Sequence, residues 1–347
     1  MQKPTLYIII FAALLPIVFC LDIVFGSIHI PLEQVRCFLF GSDCNPVHTT
    51  IIENIRIPRA LVALLTGLAL PISGLLMQTF FRNPLAGPDI LGVSTGASLG
   101  VALFSLAGGF GGILASQNFT VLSGFGSVAC AAAGAMLIMG LILIIAPKMH
   151  DTSTLLIVGI MFSSITSAIV SILQYISNPQ EIQQFLLWTF GSFSGIPMVS
   201  IGVMASIVIP ALLITFAMQK SLNALLLGEN YARGLGVSIK QLRIMTLLMA
   251  SILAAVITAF TGPIGFVGMA IPHIARMIFR TANHKILIPA SALIGANLVL
   301  VCDLISQMPG FETALPINVV TSVVCAPVVI FVIFSGRKFR GECFLSN

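Results

Sequence analysis

Residues 56–100 read RIPRALVALLTGLALPISGLLMQTFFRNPLAGPDILGVSTGASLG. The stretch contains an apolar run over 58–81 that is long enough to cross a bilayer, since a spanning helix needs about 20 mainly apolar residues. A polar turn with proline and glycine follows it, and a second apolar segment, rich in glycine, covers 91–107. This order of long span, turn and short span predicts a polytopic membrane protein.

The composition of the whole chain supports the same interpretation. Of the 347 residues, 58% are hydrophobic and 8% are charged, and the mean hydropathy is +1.09. A soluble domain has about 25% charged residues, so the bilayer is the natural solvent for this chain. The sequence shows no basic patch or stripe of the kind that binds nucleic acid, and a nucleic-acid partner is not expected.

Ten apolar segments predict an all-α membrane protein with about ten transmembrane helices. The first segment follows Lys3 as in a signal peptide, but it is too long for one and lacks a cleavage site of small residues, so we interpret it as a retained span. A shorter segment at 180–191 predicts a partial helix at one face of the membrane. The ten segments are 5–26, 58–81, 91–107, 121–146, 154–176, 197–217, 241–261, 264–280, 286–306 and 316–335.

The basic residues predict the orientation of these spans. With both termini in the cytoplasm, thirteen of the sixteen Lys and Arg residues fall on the inside, and only Arg36, Arg56 and Arg59 fall on the outside. Cytoplasmic loops carry an excess of Lys and Arg, so the opposite orientation would break that rule. The longest cytoplasmic loop is then 218–240, which predicts two short helices around Gly228.

Sequence signatures of enzymes and motors are missing. The chain has no GxxxxGK[ST] nucleotide loop, no HExxH and no CxxC or Cys/His cluster with zinc spacing, so no cofactor and no metal site are predicted. His273 lies in an apolar segment and is interpreted as a structural histidine with its hydrogen bonds satisfied. Carboxylates cluster at loops and span ends, with Asp303 the best buried candidate, whereas ion-coupled carriers keep ionisable groups within their spans. These patterns favour a permease driven by a separate motor.

Seven cysteines are scattered along the chain. Cys37 and Cys44 lie in the outer loop 27–55, which would face an oxidising compartment. The spacing leaves two possibilities open, a disulfide between them or two free thiols.

Several ordered motifs resemble the FecCD-type permeases, the membrane subunits of ABC importers for iron siderophores, haem and cobalamin. The stretch 56–100 is similar to the family's signature. Further similarities follow in order along nearly the whole chain: TSTLLIVG at 152–159, LWTFGSFSG at 187–195, LGENYARGLGV at 227–237, GPIGFVGMAIPHIAR at 262–276 and LPINVVTSVVCAP at 315–327.

The resemblance implies a type II ABC importer permease fold, with residues 1–347 forming one transmembrane domain. It implies a multi-pass homodimer in the bacterial inner membrane, two ATP-binding cassette subunits docked at loop 218–240, and a periplasmic substrate-binding protein. The chain itself is then not an enzyme, because ATP hydrolysis belongs to the partner. The expected cargo is a ferric siderophore, while haem and cobalamin stay open.

The resemblance also implies roles for individual residues. The alternatives are helix-end capping for the gate residues, a plain connecting loop for the docking residues, and snorkelling to lipid headgroups for the two arginines. The family often has Arg four residues after Asp303, where this chain has Gln307, and this departure weakens the predicted contact with the binding protein. The implied roles are a cytoplasmic gate at Asn83, Leu85, Thr152 and Ser153, ATPase docking at Gly228, Glu229, Ala232 and Gly236, and binding-protein docking at Arg56 and Arg59.

Two other classes of membrane protein are alternatives to an ABC permease. One is an ion-coupled secondary transporter with inverted repeats, whose uptake would depend on the proton gradient rather than on ATP. The other is a membrane-embedded enzyme, for which the sequence offers no catalytic motif.

Overall fold

A computed structural model describes residues 3–26, 45–106, 120–146, 152–307 and 314–342, with a few isolated positions between 31 and 37 and Met149. Every regular element within these ranges is a helix, which confirms the all-α prediction. The helices in chain order are α1 Lys3–Val24, α2 Pro46–Ile51, α3 Ile57–Phe81, α4 Val93–Leu106, α5 Thr120–Ile145, α6 Thr152–Ile176, α7 Pro179–Thr189, α8 Met198–Ala217, α9 Gln219–Leu226, α10 Glu229–Gly234, α11 Ile239–Thr261, α12 Val267–Phe279, α13 His284–Ser306 and α14 Ile317–Glu342.

The helices match the ten predicted segments. Within the described ranges, seven helical runs are long and apolar enough to cross a membrane by length and composition: α1, the continuous run Pro46–Phe81 that contains α3, and α5, α6, α8, α11 and α13. The remaining three segments are shorter apolar helices, namely α4, α12 and residues Ile317–Phe331 of α14. The predicted partial helix at 180–191 is α7.

Helix α3 lies at the centre of the bundle. It packs against α8, α11, α12 and α13, and nearly all of its side chains are buried. A single π-helical turn, Ile52–Arg56, joins it to α2. Such turns shift the register of the residues that follow, and here the turn immediately precedes Arg59.

Glycines allow the backbones of the packed helices to touch. A β-carbon added at Gly74 of α3 would lie 1.7 Å from the carbonyl oxygen of Gly268 on α12. One added at Gly100 of α4 would lie 1.9 Å from the carbonyl oxygen of Cys130 on α5. Helices inside lipid lack a hydrophobic driving force for association, and close van der Waals packing at small residues drives it instead. These crossings therefore fix the geometry of the bundle.

Candidate functional site

The first predicted gate segment follows the end of α3. Arg82 adopts the left-handed conformation (φ 46°) and ends the helix. Asn83 Oδ1 accepts a hydrogen bond from the backbone N–H of Leu85 at 2.9 Å, so the Asn83 side chain shapes the turn. His273 Nε2 donates to the carbonyl oxygen of Pro84 at 2.6 Å, which confirms His273 as a satisfied structural histidine. The Leu85 side chain is 41% exposed and is free to meet another surface.

The second predicted gate segment begins α6. Thr152 and Ser153 are the first two residues of that helix, and their side chains lie outside the described part of the structure. Two turns further along, a β-carbon added at Gly159 would lie 2.7 Å from the carbonyl oxygen of Ile90. Ile90 belongs to the 3-10 turn Pro88–Leu91 that directly follows the first gate segment. The fold therefore places the two segments on adjoining elements.

The loop 218–240 contains two short helices around Gly228, as the sequence predicts. Gly228 (φ 115°) separates α9 from α10, and Gly236 (φ 80°) follows α10, so both glycines hold backbone conformations that other residues rarely adopt. Ala232 is completely buried and anchors α10 to the bundle. The exposed surface of this loop includes polar residues and Gly236, and four large apolar or aromatic residues that no motif marks: Leu226, Leu227, Tyr231 and Leu235.

Glu229, at the start of α10, joins two elements. Its Oε1 accepts from Arg243 Nη2 of α11 at 2.5 Å, and the other nitrogen of that guanidinium, Nη1, reaches the Met149 carbonyl oxygen at 3.4 Å. Arg233 lies 3.9 Å from the Glu229 carboxylate but is largely exposed. Arg243 thus connects the predicted docking loop to the chain just before α6. No local pattern marks Arg243, because its partner lies 14 residues away.

The opposite end of α3 holds a buried polar cluster. Arg59 Nε donates to both carboxylate oxygens of Asp303 at 3.0 and 2.9 Å, and Nη2 donates to Oδ1 at 2.7 Å. Its remaining nitrogen donates to Ser194 Oγ at 2.7 Å. Gln307 Nε2 donates to Asp303 Oδ2 at 2.9 Å and lies 3.4 Å from Asp22 Oδ1. Gln307 therefore completes the hydrogen bonding of Asp303.

Arg56 and Arg59, to which the resemblance assigns binding-protein docking, are both largely buried in this structure. Arg56 is 5% exposed and Arg59 is 8% exposed. Arg56 Nη1 donates to the carbonyl oxygens of Ile23 and Val24 at 2.7 and 2.5 Å, so it binds the C-terminal end of α1, where the helix dipole favours a cation. Arg59 is neutralised by Asp303. Both guanidinium groups therefore hold helices together within the chain, and their role in binding-protein docking stays a prediction.

Among the described residues, no group of three or more His, Cys, Asp or Glu side chains is arranged to hold a metal ion. Cys37 is disulfide-bonded. Cys44, the partner in one of the two possibilities that the spacing leaves open, lies outside the described residues.

Comparisons with known proteins point to one group of transporters. The model of the FecCD transport family matches residues 14–335. The hemin transport system permease protein HmuU of Yersinia pestis is 33% identical over 303 residues, covering 87% of this chain and 88% of the relative. The vitamin B12 import system permease protein BtuC of Escherichia coli O9:H4 is 36% identical over 298 residues, covering 86% and 88%.

A solved structure shares the whole architecture. It is an inward-facing conformation of a metal-chelate type ABC transporter, superposes with a TM-score of 0.81 at 28% identity, and covers 94% of this chain and 98% of its own. This likeness confirms the predicted fold class.

Proposed function

This chain belongs to the FecCD transport family, and from that membership we propose that it is the membrane-spanning permease of an ABC importer that moves a ferric-siderophore-type iron chelate from periplasm to cytoplasm. Two copies form the pathway, two separate ATPase subunits dock at the 218–240 loop, and a periplasmic binding protein delivers the chelate. The protein lies in the inner membrane, with both termini in the cytoplasm.

The observation that carries the proposal is the exposed apolar surface of the docking loop. Four residues on or directly after α9 and α10 are 41–62% exposed, and α9 packs against the end of α3: Leu226, Leu227, Tyr231 and Leu235. The loop is too polar to enter the membrane, so lipid does not cover these side chains. An aromatic residue among aliphatic ones on a protruding surface is the composition of a protein interface, and a soluble ATPase subunit is the partner that an ABC permease requires.

Residues near this surface are proposed as the gate. Leu85 presents an exposed apolar side chain directly after α3, and Thr152 and Ser153 begin α6 on the adjoining element. Asn83 fixes the turn that presents Leu85. Movement of the docking loop would act on both segments, because Arg243 ties Glu229 to Met149 and because α9 touches the end of α3.

The cargo is proposed to cross as an intact chelate. The relatives are named for hemin and vitamin B12, and the structural neighbour for metal chelates. All three names describe a metal held inside a bulky organic ligand. Haem and cobalamin are therefore the second candidates, favoured by relatives that match this chain over most of its length.

The test is uptake into proteoliposomes that contain the permease, its cognate ATPase subunits and the cognate binding protein. We expect uptake of a ferric siderophore that requires ATP on the side of the membrane where the ATPase subunits lie. This uptake should survive collapse of the proton gradient. Hemin and cobalamin supplied in parallel identify the cargo by direct comparison. Uptake that follows the proton gradient and ignores ATP would overturn the proposal, as would ATP hydrolysis by the purified permease alone.

A further inference from the structure

A buried histidine joins three elements at the docking end of the bundle. His284 is the first residue of α13 and is 1% exposed. Its ring Nδ1 lies 2.8 Å from Asn223 Oδ1 on α9, and its ring Nε2 lies 2.9 Å from Thr79 Oγ1 on α3. The His284 side chain therefore links α9 to the last turns of α3, where Thr79 lies three residues before Arg82.

The neighbouring hydrogen bonds show which of these atoms donate and which accept. Asn223 Oδ1 also accepts from the backbone N–H of His284 at 2.8 Å, so this atom is the amide oxygen and the ring Nδ1 that faces it carries a proton. The other amide atom, Nδ2, donates to Asn283 Oδ1 at 2.9 Å, and Asn283 in turn caps α13. With Nδ1 protonated, a neutral ring accepts at Nε2 from the Thr79 hydroxyl. A charged ring donates there instead, while the hydroxyl donates to the Leu75 carbonyl oxygen at 2.8 Å. The link holds in both protonation states.

A second contact joins the same two helices. The Arg82 guanidinium donates to the carbonyl oxygen of Leu225 at 3.3 Å. Leu225 lies in the last turn of α9, and the Arg82 backbone ends α3. Helix α9 is thus held to α3 at its middle, through His284, and at its C-terminal end, through Arg82.

We propose that His284, bridging Asn223 and Thr79, is a positioning residue that transmits movement of the docked α9 to the gate end of α3. This role rests on the proposed function, because α9 moves only if an ATPase subunit docks on it. A buried hydrogen-bonded bridge resists separation of its partners, since each polar group left unpaired inside the protein costs free energy. A displacement of α9 is therefore followed by Thr79 and by the Arg82–Leu85 segment that continues from it.

The experiment measures cargo transported per ATP hydrolysed in proteoliposomes that contain the complete importer. Thr79→Val removes the hydroxyl without changing the shape of the side chain, and Thr79→Ser keeps it. Thr66→Val on the same helix is the matched control, because the buried Thr66 hydroxyl has no hydrogen-bond partner among the described residues. Asn223→Ala removes the docking-side contact.

We expect Thr79→Val and Asn223→Ala to lower the transport-to-hydrolysis ratio by roughly two- to thirtyfold, the range that substitutions within coupling networks span. Thr79→Ser and Thr66→Val should keep the wild-type ratio. Combining Thr79→Val with Asn223→Ala should add little to either change, because both act through the same ring. A merely structural bridge would lower thermal stability and leave the ratio unchanged.

A wild-type transport-to-hydrolysis ratio in Thr79→Val would overturn the inference. This variant remains informative even if Asn223→Ala weakens assembly, because Thr79 is buried away from the docking surface. A wild-type importer that takes up no tested chelate with ATP would overturn the proposed function, and the inference with it. The wild-type measurement therefore separates the two failures.

Discussion

The Arg59 guanidinium of α3 and the Asp303 carboxylate of α13 form a bidentate ion pair, although 244 residues separate them in the chain. Asp303 has no exposed surface. The pair also includes bonds to Ser194, Ser306 and Gln307, so nearly every polar atom is satisfied. It fastens α3 to α13, the helix with which α3 shares its most extensive contact.

Removing one member of this pair should destabilise the fold strongly. Asp303→Ala leaves a buried guanidinium without its counter-charge, and such a loss costs about 3–5 kcal/mol. The double variant Arg59→Met with Asp303→Leu should recover much of this loss, because it leaves no unpaired charge. Thermal unfolding in detergent measures both. Equal losses in the single and double variants would contradict a buried, mutually dependent pair.

Reversing the charge of Arg56 and Arg59 together should abolish folding rather than slow the arrival of a binding protein. Two glutamates would face Asp22, Asp303 and the carbonyl oxygens at the end of α1, where like charges repel. The yield of monodisperse protein after size-exclusion chromatography is the measurement. A folded double variant that only loses salt-dependent binding-protein association would support the predicted role of Arg56 and Arg59 in binding-protein docking.

The close helix crossing at Gly74 should not tolerate a larger residue. Gly74→Val places two methyl groups where the Gly268 carbonyl lies, and overpacking of this kind costs about 1–3 kcal/mol or more. Gly202→Ala on α8 is the matched control, because a β-carbon there meets nothing within 4 Å. The stability of the Gly202→Ala variant should be unchanged or slightly higher, since alanine favours helix more than glycine does. Similar melting temperatures for the two variants would contradict the packing described here.

The ion pair between Glu229 and Arg243 should support docking of the ATPase subunit. Arg243→Ala releases Glu229 and the chain at Met149, and a partly exposed pair contributes up to about 1 kcal/mol, which corresponds to roughly a fivefold loss of ATPase-subunit affinity. Arg233→Ala is the control, because Arg233 is exposed and 3.9 Å from the same carboxylate. Affinity is measured by titrating the ATPase subunit onto immobilised permease. If Arg243→Ala and Arg233→Ala lower the affinity equally, the cause is the loss of positive surface charge and not the loss of the Glu229–Arg243 ion pair.

Bulk at the predicted gate should alter passage without altering assembly. Leu85→Trp and Thr152→Trp enlarge side chains on the adjoining segments, and we expect a several-fold change in uptake at unchanged ATPase-subunit binding. Leu213→Trp on the exposed face of α8 supplies the same kind of bulk at a distant site. If uptake is normal in both gate variants, Asn83 and its neighbours serve only to cap the helix.

Hydropathy and turn chemistry determined the fold class. The ten apolar segments, the turn after Phe81 and the two helices around Gly228 were all predictable, because spanning length and local backbone preference are properties of consecutive residues. The family resemblance came from the same short motifs. The structure confirmed each of these elements to within a few residues, except that α14 continues to Glu342, beyond the predicted end at 335.

Pairing across the bundle was decided only by the tertiary structure. Arg59 lies at the outer start of the predicted span 58–81, and only the packing of α3 against α13 shows that it is buried on Asp303. His284 meets Thr79 across 205 residues and Asn223 across 61. The composition of a segment states whether it prefers lipid to water, but the rotation of each helix, which fixes the partner of each polar side chain, depends on glycine contacts with distant helices.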